Sequence, residues 1–401
     1  MNITDIRAAR ERIRDSVYLS PCAYSETFSH LTGSRVWFKL ENLQMTGSFK
    51  ERGALNKILL LSKEERSRGV IAASAGNHAQ GVAYHATQQG IRAQVCMPVT
   101  TPLIKISRTR EYGAEVILTG DNYDETCAEA QRRCDAQSLT FIHPFDDEAV
   151  IAGQGTIGLE LLEQCPDLDA AIIPIGGGGL IAGVACALKE TNPRIRVIGV
   201  ETARLASMKE ALIEAHPVTL PAATTIGDGI AVRRAGDLTL PLVSRYVDDI
   251  VTVDEEEMAN GILLLLEREK TVAEGAGAAP VAALLNRKTS LAGKRVAALI
   301  SGGNIDVNFL SRIIERGLVK DGRLVRLQLR VPDHPGALAA VMAIVAAQKA
   351  NVVSVAHDRS HYGASLNQAV LDITLETRGP EHIEEIIAAL AKANYNADRV
   401  I

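Results

Sequence analysis

Lys50 combines a chemically reactive side chain with an unusual position in the chain. It lies in the stretch Gly-Ser-Phe-Lys-Glu-Arg-Gly at 47–53, between a strand-like run at 36–40 and a helix-like segment at 51–61. An amine beside the N–H groups of a helix start meets a positive potential that disfavours its own positive charge. Its pKa therefore falls, and a neutral amine can act as a nucleophile and form an imine. Taken alone, such a lysine is more often a solvated surface charge, so its neighbours must decide.

A run of four glycines, 176–179, follows an apolar strand predicted at 171–175 and opens a helix. Glycines let the backbone wrap closely round an anion, and the helix start supplies N–H donors and a positive dipole. The run matches neither the dinucleotide fingerprint GxGxxG nor the P-loop pattern GxxxxGK(S/T). The sequence therefore predicts a site for a phosphate monoester.

Two polar turns also follow predicted strands. The turn Ser-Ala-Gly-Asn-His at 74–78 comes after one strand, and Ser-Gly-Gly-Asn at 301–304 comes after another. Asn77 by itself could be only a helix N-cap, and Ser301 only a loop hydroxyl. Ligands of open parallel sheets gather at the carboxyl ends of the strands, so these turns, the glycine run and Lys50 are expected at one edge. An amine, a phosphate site, a hydroxyl donor and an amide together indicate pyridoxal 5′-phosphate.

The elements that must position these residues alternate between short β-branched runs and alanine-rich helices. Strands are predicted at 36–40, 70–74, 93–97, 115–118, 171–175, 197–200 and 296–300, and helices at 77–89, 122–136, 180–190 and 255–267. This order is typical of α/β proteins with parallel sheets, and the number of units indicates two lobes with a cleft between them. After a polar hinge at 317–322 the order changes. Strands at 324–331, 352–358 and 368–376 and helices at 337–349 and 381–393 predict a small α+β domain.

Composition excludes several classes of function. The chain has 401 residues, a formal net charge of −5 and no basic blocks, so neither nucleic acid nor an anionic membrane is expected as a partner. The first residues predict an amphipathic helix without the apolar core of a signal peptide, and no apolar run reaches membrane-spanning length. The six cysteines form no CxxC pair. We therefore expect no metal site, and free thiols in a reducing cytoplasm.

On these motifs the chain resembles the threonine ammonia-lyases (threonine dehydratases), which are fold type II pyridoxal-phosphate enzymes with a tryptophan synthase β-like fold. The resemblance covers roughly residues 5–315 and is carried by the segments 47–54, 74–81, 176–180, 227–232, 274–277 and 301–304. It implies a large domain of residues 1–67 and 147–319 and a small mobile domain of residues 68–146. It also implies β-elimination of threonine to 2-oxobutanoate and ammonia, with serine giving pyruvate.

The same resemblance assigns roles to residues. Lys50 would form the imine with the cofactor and, once freed, would be the base for the substrate Cα proton. Glu274 would lie near the substrate amine or the cofactor edge. The implied cofactor-binding residues are Phe49, Lys50, Asn77, Gly176, Gly177, Gly178, Gly179 and Ser301. The implied substrate-binding residues are Ser74, Ala75, Gly76, Asn77 and His78.

The C-terminal part, 323–401, resembles an ACT domain, a small ferredoxin-like module that senses amino acids. The loop Asp-His-Pro-Gly-Ala at 333–337 and the start of the second strand carry this resemblance. It implies an effector site at a dimer interface, formed by Asp333, His334, Gly336 and Asn351. Isoleucine or valine would be the effector, in a homodimer or homotetramer. A module that only dimerises is the alternative, and biosynthetic and catabolic roles are both open.

Serine racemase is the main rival, since that family shares the lysine, the glycine run and the serine. Racemisation needs a second acid or base on the ring face opposite the lysine, where that family carries a serine. Here the position is Ala75, and the stretch after Glu201 also lacks the acidic residue of the racemase metal site. A cysteine synthase fits the 74–78 turn less well. A non-catalytic amino-acid sensor would have no use for Lys50.

Overall fold

Two sheets carry the first part of the chain, and a third sheet carries the last part. The computed structural model describes residues 1–360, 365 and 367–400, so the predicted ACT domain extends over a few positions outside the described residues. Close contacts group Met1–Ile305 into one unit and Asp306–Ile401 into another. Within the described part of the chain, no helix is both long and apolar enough to cross a membrane.

The strands and helices alternate along the first unit. In chain order the strands are β1 Cys22–Ser25, β2 Arg35–Leu40, β3 Val70–Ala73, β4 Ala93–Met97, β5 Glu115–Leu118, β6 Thr140–Phe141, β7 Ala170–Pro174, β8 Arg196–Thr202, β9 Asp249–Val253, β10 Arg295–Ile300, β11 Leu324–Pro332, β12 Asn351–Asp358, β13 Gln368–Glu376 and β14 Ala397–Arg399. The helices of the first unit are α1 Ile3–Ile13, α2 Glu26–Thr32, α3 Lys50–Leu59, α4 Lys63–Arg68, α5 Asn77–Gln88, α6 Leu103–Glu111, α7 Tyr123–Gln137, α8 Glu148–Gln164, α9 Gly179–Thr191, α10 Ser207–Glu214, α11 Thr239–Tyr246, α12 Glu255–Leu264 and α13 Gly275–Leu285. The second unit adds α14 Val307–Lys320, α15 Ala337–Ala347 and α16 Pro380–Lys392.

The larger sheet has the strand order β1-β2-β10-β7-β8-β9, and only β1 runs antiparallel to its neighbour. Its inner strands β7 and β10 are almost entirely buried, as expected for a parallel sheet with helices on both faces. Because β2, β10 and β7 are parallel neighbours, their carboxyl ends emerge side by side. The turns that follow these three strands therefore meet at one edge.

The smaller sheet, β5-β4-β3-β6, is parallel throughout and comprises residues that the sequence assigned to a small domain. Apolar residues of β3 and β4 pack against α5 and α6 in a core of their own. The turn at 74–78 leaves the carboxyl end of β3. The division of residues 1–319 into a large and a small mobile domain stays a prediction.

The second unit is an antiparallel sheet with the order β12-β13-β11-β14 and has the βαββαβ order of a ferredoxin-like fold. Val325, Leu327 and Leu329 of β11 lie in its core, whereas Arg326 and Gln328 point away from it. Helix α14 contacts β11 and is grouped with this unit, which begins at Asp306 rather than after the predicted hinge.

The seven strands predicted in the first part of the chain are all present, with ends within two residues of the prediction. The sequence missed β1, β6, β9 and β14, which have only two to five residues each. The helix predicted at 255–267 ends at Leu264 and continues as a π-helical turn over Leu265–Glu269.

Candidate active site

Lys50 begins α3, at the carboxyl edge of the larger sheet. Its Nζ donates a hydrogen bond to the carbonyl oxygen of Pro144 at 2.7 Å. Burial lowers the pKa of Lys50 to about 8, and the nearby Glu274 carboxylate opposes this shift. A substantial fraction of this amine is therefore neutral near physiological pH, as a nucleophile or base requires.

Backbone contacts fix the Lys50 turn to the end of β10. Phe49 N donates to Ser301 O at 3.1 Å, and Ser48 and Gly302 form an antiparallel bridge. Gly47, with φ +75°, accepts from Gly303 N at 2.9 Å. The buried Ser301 is thus held beside the Lys50 turn at the ends of two parallel strands, as the predicted strand ends required.

Asn77 joins Glu274 and Asn304 in a chain of hydrogen bonds. Its Nδ2 donates to Glu274 Oε1 at 2.7 Å, and its Oδ1 accepts from Asn304 Nδ2 at 2.8 Å. Burial raises the pKa of Glu274 to about 7, although the Asn77 bond opposes the shift. Gly302 is required here, because a Cβ on it would lie 2.5 Å from Glu274 Oε1. The sequence predicted Asn77 and Glu274 separately, and the structure places them in contact.

The glycine run forms a turn of bare backbone between β7 and α9. Gly178 has φ +96°, and a Cβ there would lie 2.8 Å from Thr239 Oγ1. A Cβ on Gly177 would collide with the Phe145 ring, and one on Gly179 would lie 2.7 Å from Phe145 O. With no side chains and a helix start beneath it, this turn fits a phosphate group. Together with the amine of Lys50, the residues present fit pyridoxal phosphate.

The 74–78 turn leads directly into α5, whose first residues have N–H groups without helical acceptors. Ser74 Oγ accepts from Gly76 N at 3.2 Å and shapes the turn. His78 points elsewhere, because its Nε2 lies 2.8 Å from Ile142 O and its Nδ1 is buried without a partner. Burial lowers the pKa of His78 to about 3, so this imidazole is neutral at physiological pH.

Sequence reasoning missed the segment between β6 and α8. Pro144 supplies the carbonyl that Lys50 contacts, and Phe145 covers the glycine run. The Asp146 carboxylate accepts from Asp237 N at 3.0 Å and Leu238 N at 2.9 Å, which fixes the start of α11 beside the run. No pattern in the sequence indicates these contacts, since β6 has only two residues.

Two other predicted groups differ from the catalytic residues. Asn351 pairs with Glu376 at one end of the C-terminal sheet, whereas Asp333 N bonds to Asn367 O at the other end. Asp333 forms an ion pair with Arg359 at 2.9 Å. One chain therefore does not bring the four predicted effector residues together. Separately, within the described residues no cluster of histidine, cysteine or acidic side chains could hold a metal ion.

Comparison with known proteins decides the family. A profile described as pyridoxal-phosphate dependent enzyme matches residues 13–302. The chain belongs to the pyridoxal-phosphate dependent enzymes. A second profile, the ACT domain, matches residues 325–393 of this enzyme. The predicted cofactor and the fold type II architecture with a C-terminal ACT domain are thereby confirmed.

Three proteins illustrate what this pyridoxal-phosphate dependent enzyme is similar to. An L-threonine ammonia-lyase of Thermotoga maritima is 50% identical over 395 residues, 98% of either chain. A threonine deaminase whose crystal structure is described as that of T.th. is 40% identical, with a TM-score of 0.73 over 76% of this chain and 99% of that one. Maize serine racemase is 35% identical, with a TM-score of 0.75 over 80% of this chain and 98% of that one.

Proposed function

We propose that this enzyme is an L-threonine ammonia-lyase, which converts L-threonine into 2-oxobutanoate and ammonia and acts on L-serine as a side activity. The observation that carries the proposal is the placement of Lys50, with a pKa lowered to about 8, beside Ser301 and the Asn77–Glu274 pair. The similarity to an L-threonine ammonia-lyase along nearly the whole chain supports the same reaction.

The cofactor site is assigned to three turns at one sheet edge. Pyridoxal phosphate, when bound, offers an aldehyde to an amine and a conjugated ring that spreads negative charge from the substrate Cα. The backbone of 176–179 would hold the phosphate, and Ser301 Oγ would donate to the pyridine nitrogen. Asn77 would face the ring hydroxyl while Asn304 retains its Oδ1. Phe49 would lie beside the ring.

Lys50 is the base in this proposal. Its neutral Nζ takes the Cα proton of the substrate, and Pro144 O is the hydrogen-bond acceptor that orients the resulting ammonium. Ser301, unlike a carboxylate, cannot stabilise a full positive charge on the ring nitrogen. Negative charge at Cα is then stabilised less, which favours prompt loss of the β-hydroxyl group. The N–H groups at the start of α5 would receive the substrate carboxylate.

Replacing the amine tests the assignment. Lys50→Ala should release no keto acid from threonine above background, while circular dichroism and the unfolding temperature stay close to wild type. Borohydride treatment of the wild-type holoenzyme should fix the cofactor to Lys50, as peptide mass spectrometry would show. Turnover by Lys50→Ala near the wild-type rate would refute the role of this residue.

Serine racemisation is the second candidate, because maize serine racemase shares the fold over most of this chain. Ala75 has no group that could exchange a proton on the ring face away from Lys50. We therefore expect wild-type enzyme given L-serine to yield pyruvate without D-serine, as chiral chromatography of the reaction would show. D-serine at a rate comparable to pyruvate would favour the racemase instead.

An amino acid is the proposed effector of the ACT domain. Asp333 and Asn351 lie at opposite ends of the sheet in one chain, so the four predicted residues could form a site only between two copies. This supports a homodimer or homotetramer, which size-exclusion chromatography with light scattering would measure. Isoleucine and valine are the effectors to titrate in the keto-acid assay. The six free thiols support a cytoplasmic enzyme.

A further inference from the structure

Four charged side chains are buried directly behind Lys50. Lys39, Glu41, Arg52 and Glu160, here called the Arg52 cluster, have side-chain exposures between 0% and 8%. They come from β2, the turn after it, α3 and α8. With two cations and two anions the Arg52 cluster carries no net charge.

Arg52 binds two carboxylates at once. Its Nε and Nη2 donate to Glu41 at 2.7 and 2.8 Å, and its Nη1 and Nη2 donate to Glu160 at 2.6 and 2.9 Å. Lys39 Nζ donates to Glu160 at 2.5 Å, to Ser20 O at 2.7 Å and to Gln164. The hydrogen-bonding capacity of these cations is therefore largely used within the protein.

Close helix contact brings Arg52 to α8. A Cβ on Gly53 would lie 2.7 Å from Val150 O, and a Cβ on Gly153 would lie 2.7 Å from Arg52 O. Two facing glycines thus let the first turn of α3 touch α8, and the Arg52 cluster fixes its rotation there. Apolar contacts would supply stability equally well, since buried ion pairs are often no more stabilising than apolar residues. Hydrogen bonds of fixed direction supply geometry.

The residues on either side of Lys50 are all fixed. Phe49 N donates to Ser301 O, and the Glu51 carboxylate accepts from Thr46 N at 2.7 Å and Thr46 Oγ1 at 2.8 Å. Arg52 is held by its two carboxylates. Only the side chain of Lys50 is left with a single hydrogen bond, to a backbone carbonyl.

We infer that the Arg52 cluster positions Lys50 for its reaction with the cofactor and the substrate. Its members are positioning residues that act through the first turn of α3, and they do not touch the reacting atoms. The inference rests on the proposed role of Lys50. It adds that the geometry of the guanidinium, beyond its charge, sets the reactivity of the amine.

Arg52→Lys tests this, because it keeps the charge and removes the bidentate fork. We expect kcat on threonine to fall by about 10- to 100-fold with little change in KM. The fraction of bound cofactor that borohydride fixes to Lys50 should fall as well, although the glycine turn is unchanged. Arg10→Lys is the matched control, since Arg10 makes the same bidentate contact to Glu163 of α8 on the surface. The control should leave kcat and labelling at wild-type values.

A milder variant keeps the test decisive if Arg52→Lys does not fold. Ser20→Ala removes only the 2.5 Å hydrogen bond to Glu41 and should lower kcat and Lys50 labelling by about threefold. If the folded variants lose thermal stability but keep wild-type kcat and labelling, the Arg52 cluster is only structural and the inference is wrong. Labelling needs no turnover. A wild-type enzyme inactive on threonine would therefore refute the proposed function and still leave this inference measurable.

Discussion

Two opposing effects in its surroundings set the basicity of Lys50. Burial lowers its pKa to about 8, while the Glu274 carboxylate favours the ammonium form. Glu274 itself has its pKa raised to about 7 by burial, so it gains its charge just below the pH range in which Lys50 loses its proton. The neutral fraction of Lys50 therefore depends on the charge state of Glu274.

Glu274→Gln should lower the pKa of Lys50 below about 8, because the charge that favours the ammonium is gone. The hydrogen bond from Asn77 Nδ2 can be retained by the glutamine oxygen. The pKa can be measured in the cofactor-free protein from the pH dependence of Lys50 acylation, followed by peptide mass spectrometry. Glu163→Gln, a surface change on α8, is the control. An unchanged or higher pKa in Glu274→Gln would show that the two groups do not interact.

The residues of the site that the sequence could predict share one property. Lys50, the glycine run, Ser301 and Asn77 all follow strands long enough to recognise, and parallel strands bring their carboxyl ends to one edge. Phe145 and Asp146 follow a strand of two residues, and their partners lie far along the chain, in the glycine run and at the start of α11. The side-chain bonds of Arg52 to Glu160 were equally beyond reach, since nothing in the sequence gives the register of α3 against α8.

At the scale of elements, the turn into α9 depends on one backbone conformation. Gly178 has φ +96° and its Cβ position is occupied by Met208 and Thr239. Thr239 Oγ1 also donates to Gly177 O at 2.6 Å, so α11 and the turn share this contact. A side chain at Gly178 would therefore displace the turn from α11.

Gly178→Ala should weaken binding of pyridoxal phosphate by about 10- to 100-fold, because a strained left-handed residue costs of order 1–3 kcal/mol. Cofactor affinity would be measured by titrating the cofactor-free protein and following the visible absorbance. Gly293→Ala is a matched control, since Gly293 has φ +74° but nothing within 4 Å of its Cβ position. The control should lose thermal stability and keep its affinity. Wild-type affinity in Gly178→Ala would mean that the turn does not hold the cofactor.

At the scale of the whole molecule, the antiparallel order of the C-terminal sheet separates residues that the sequence predicted as one site. Pro332 pairs with Gln368 at one end of β13, and Asn351 pairs with Glu376 at the other. Roughly eight residues of strand correspond to about 26 Å. The amino-acid pattern identifies this domain correctly, but only the pairing shows that an effector site containing both ends needs a second copy.

Removing the second unit should separate catalysis from regulation. A chain ending at Ile305 keeps both sheets of the first unit, and the T.th. threonine deaminase matches 76% of this chain over 99% of its own length. We expect this truncated chain to retain kcat on threonine within about threefold and to lose any response to isoleucine or valine, since domains with their own core fold independently. A persisting response would place the sensor outside the ACT domain.

The position of the cut is the sharper test, because α14 is grouped with the second unit. A chain ending at Asp321 retains α14 but removes β11, the strand that α14 contacts. Exposing the apolar face of α14, which includes the buried Ile313, should promote association. Size-exclusion chromatography should therefore show the chain ending at Asp321 as larger species and the chain ending at Ile305 as a single sharp peak. If instead the longer chain is the better behaved and the more active of the two, α14 belongs with the catalytic unit and the domain boundary lies beyond it.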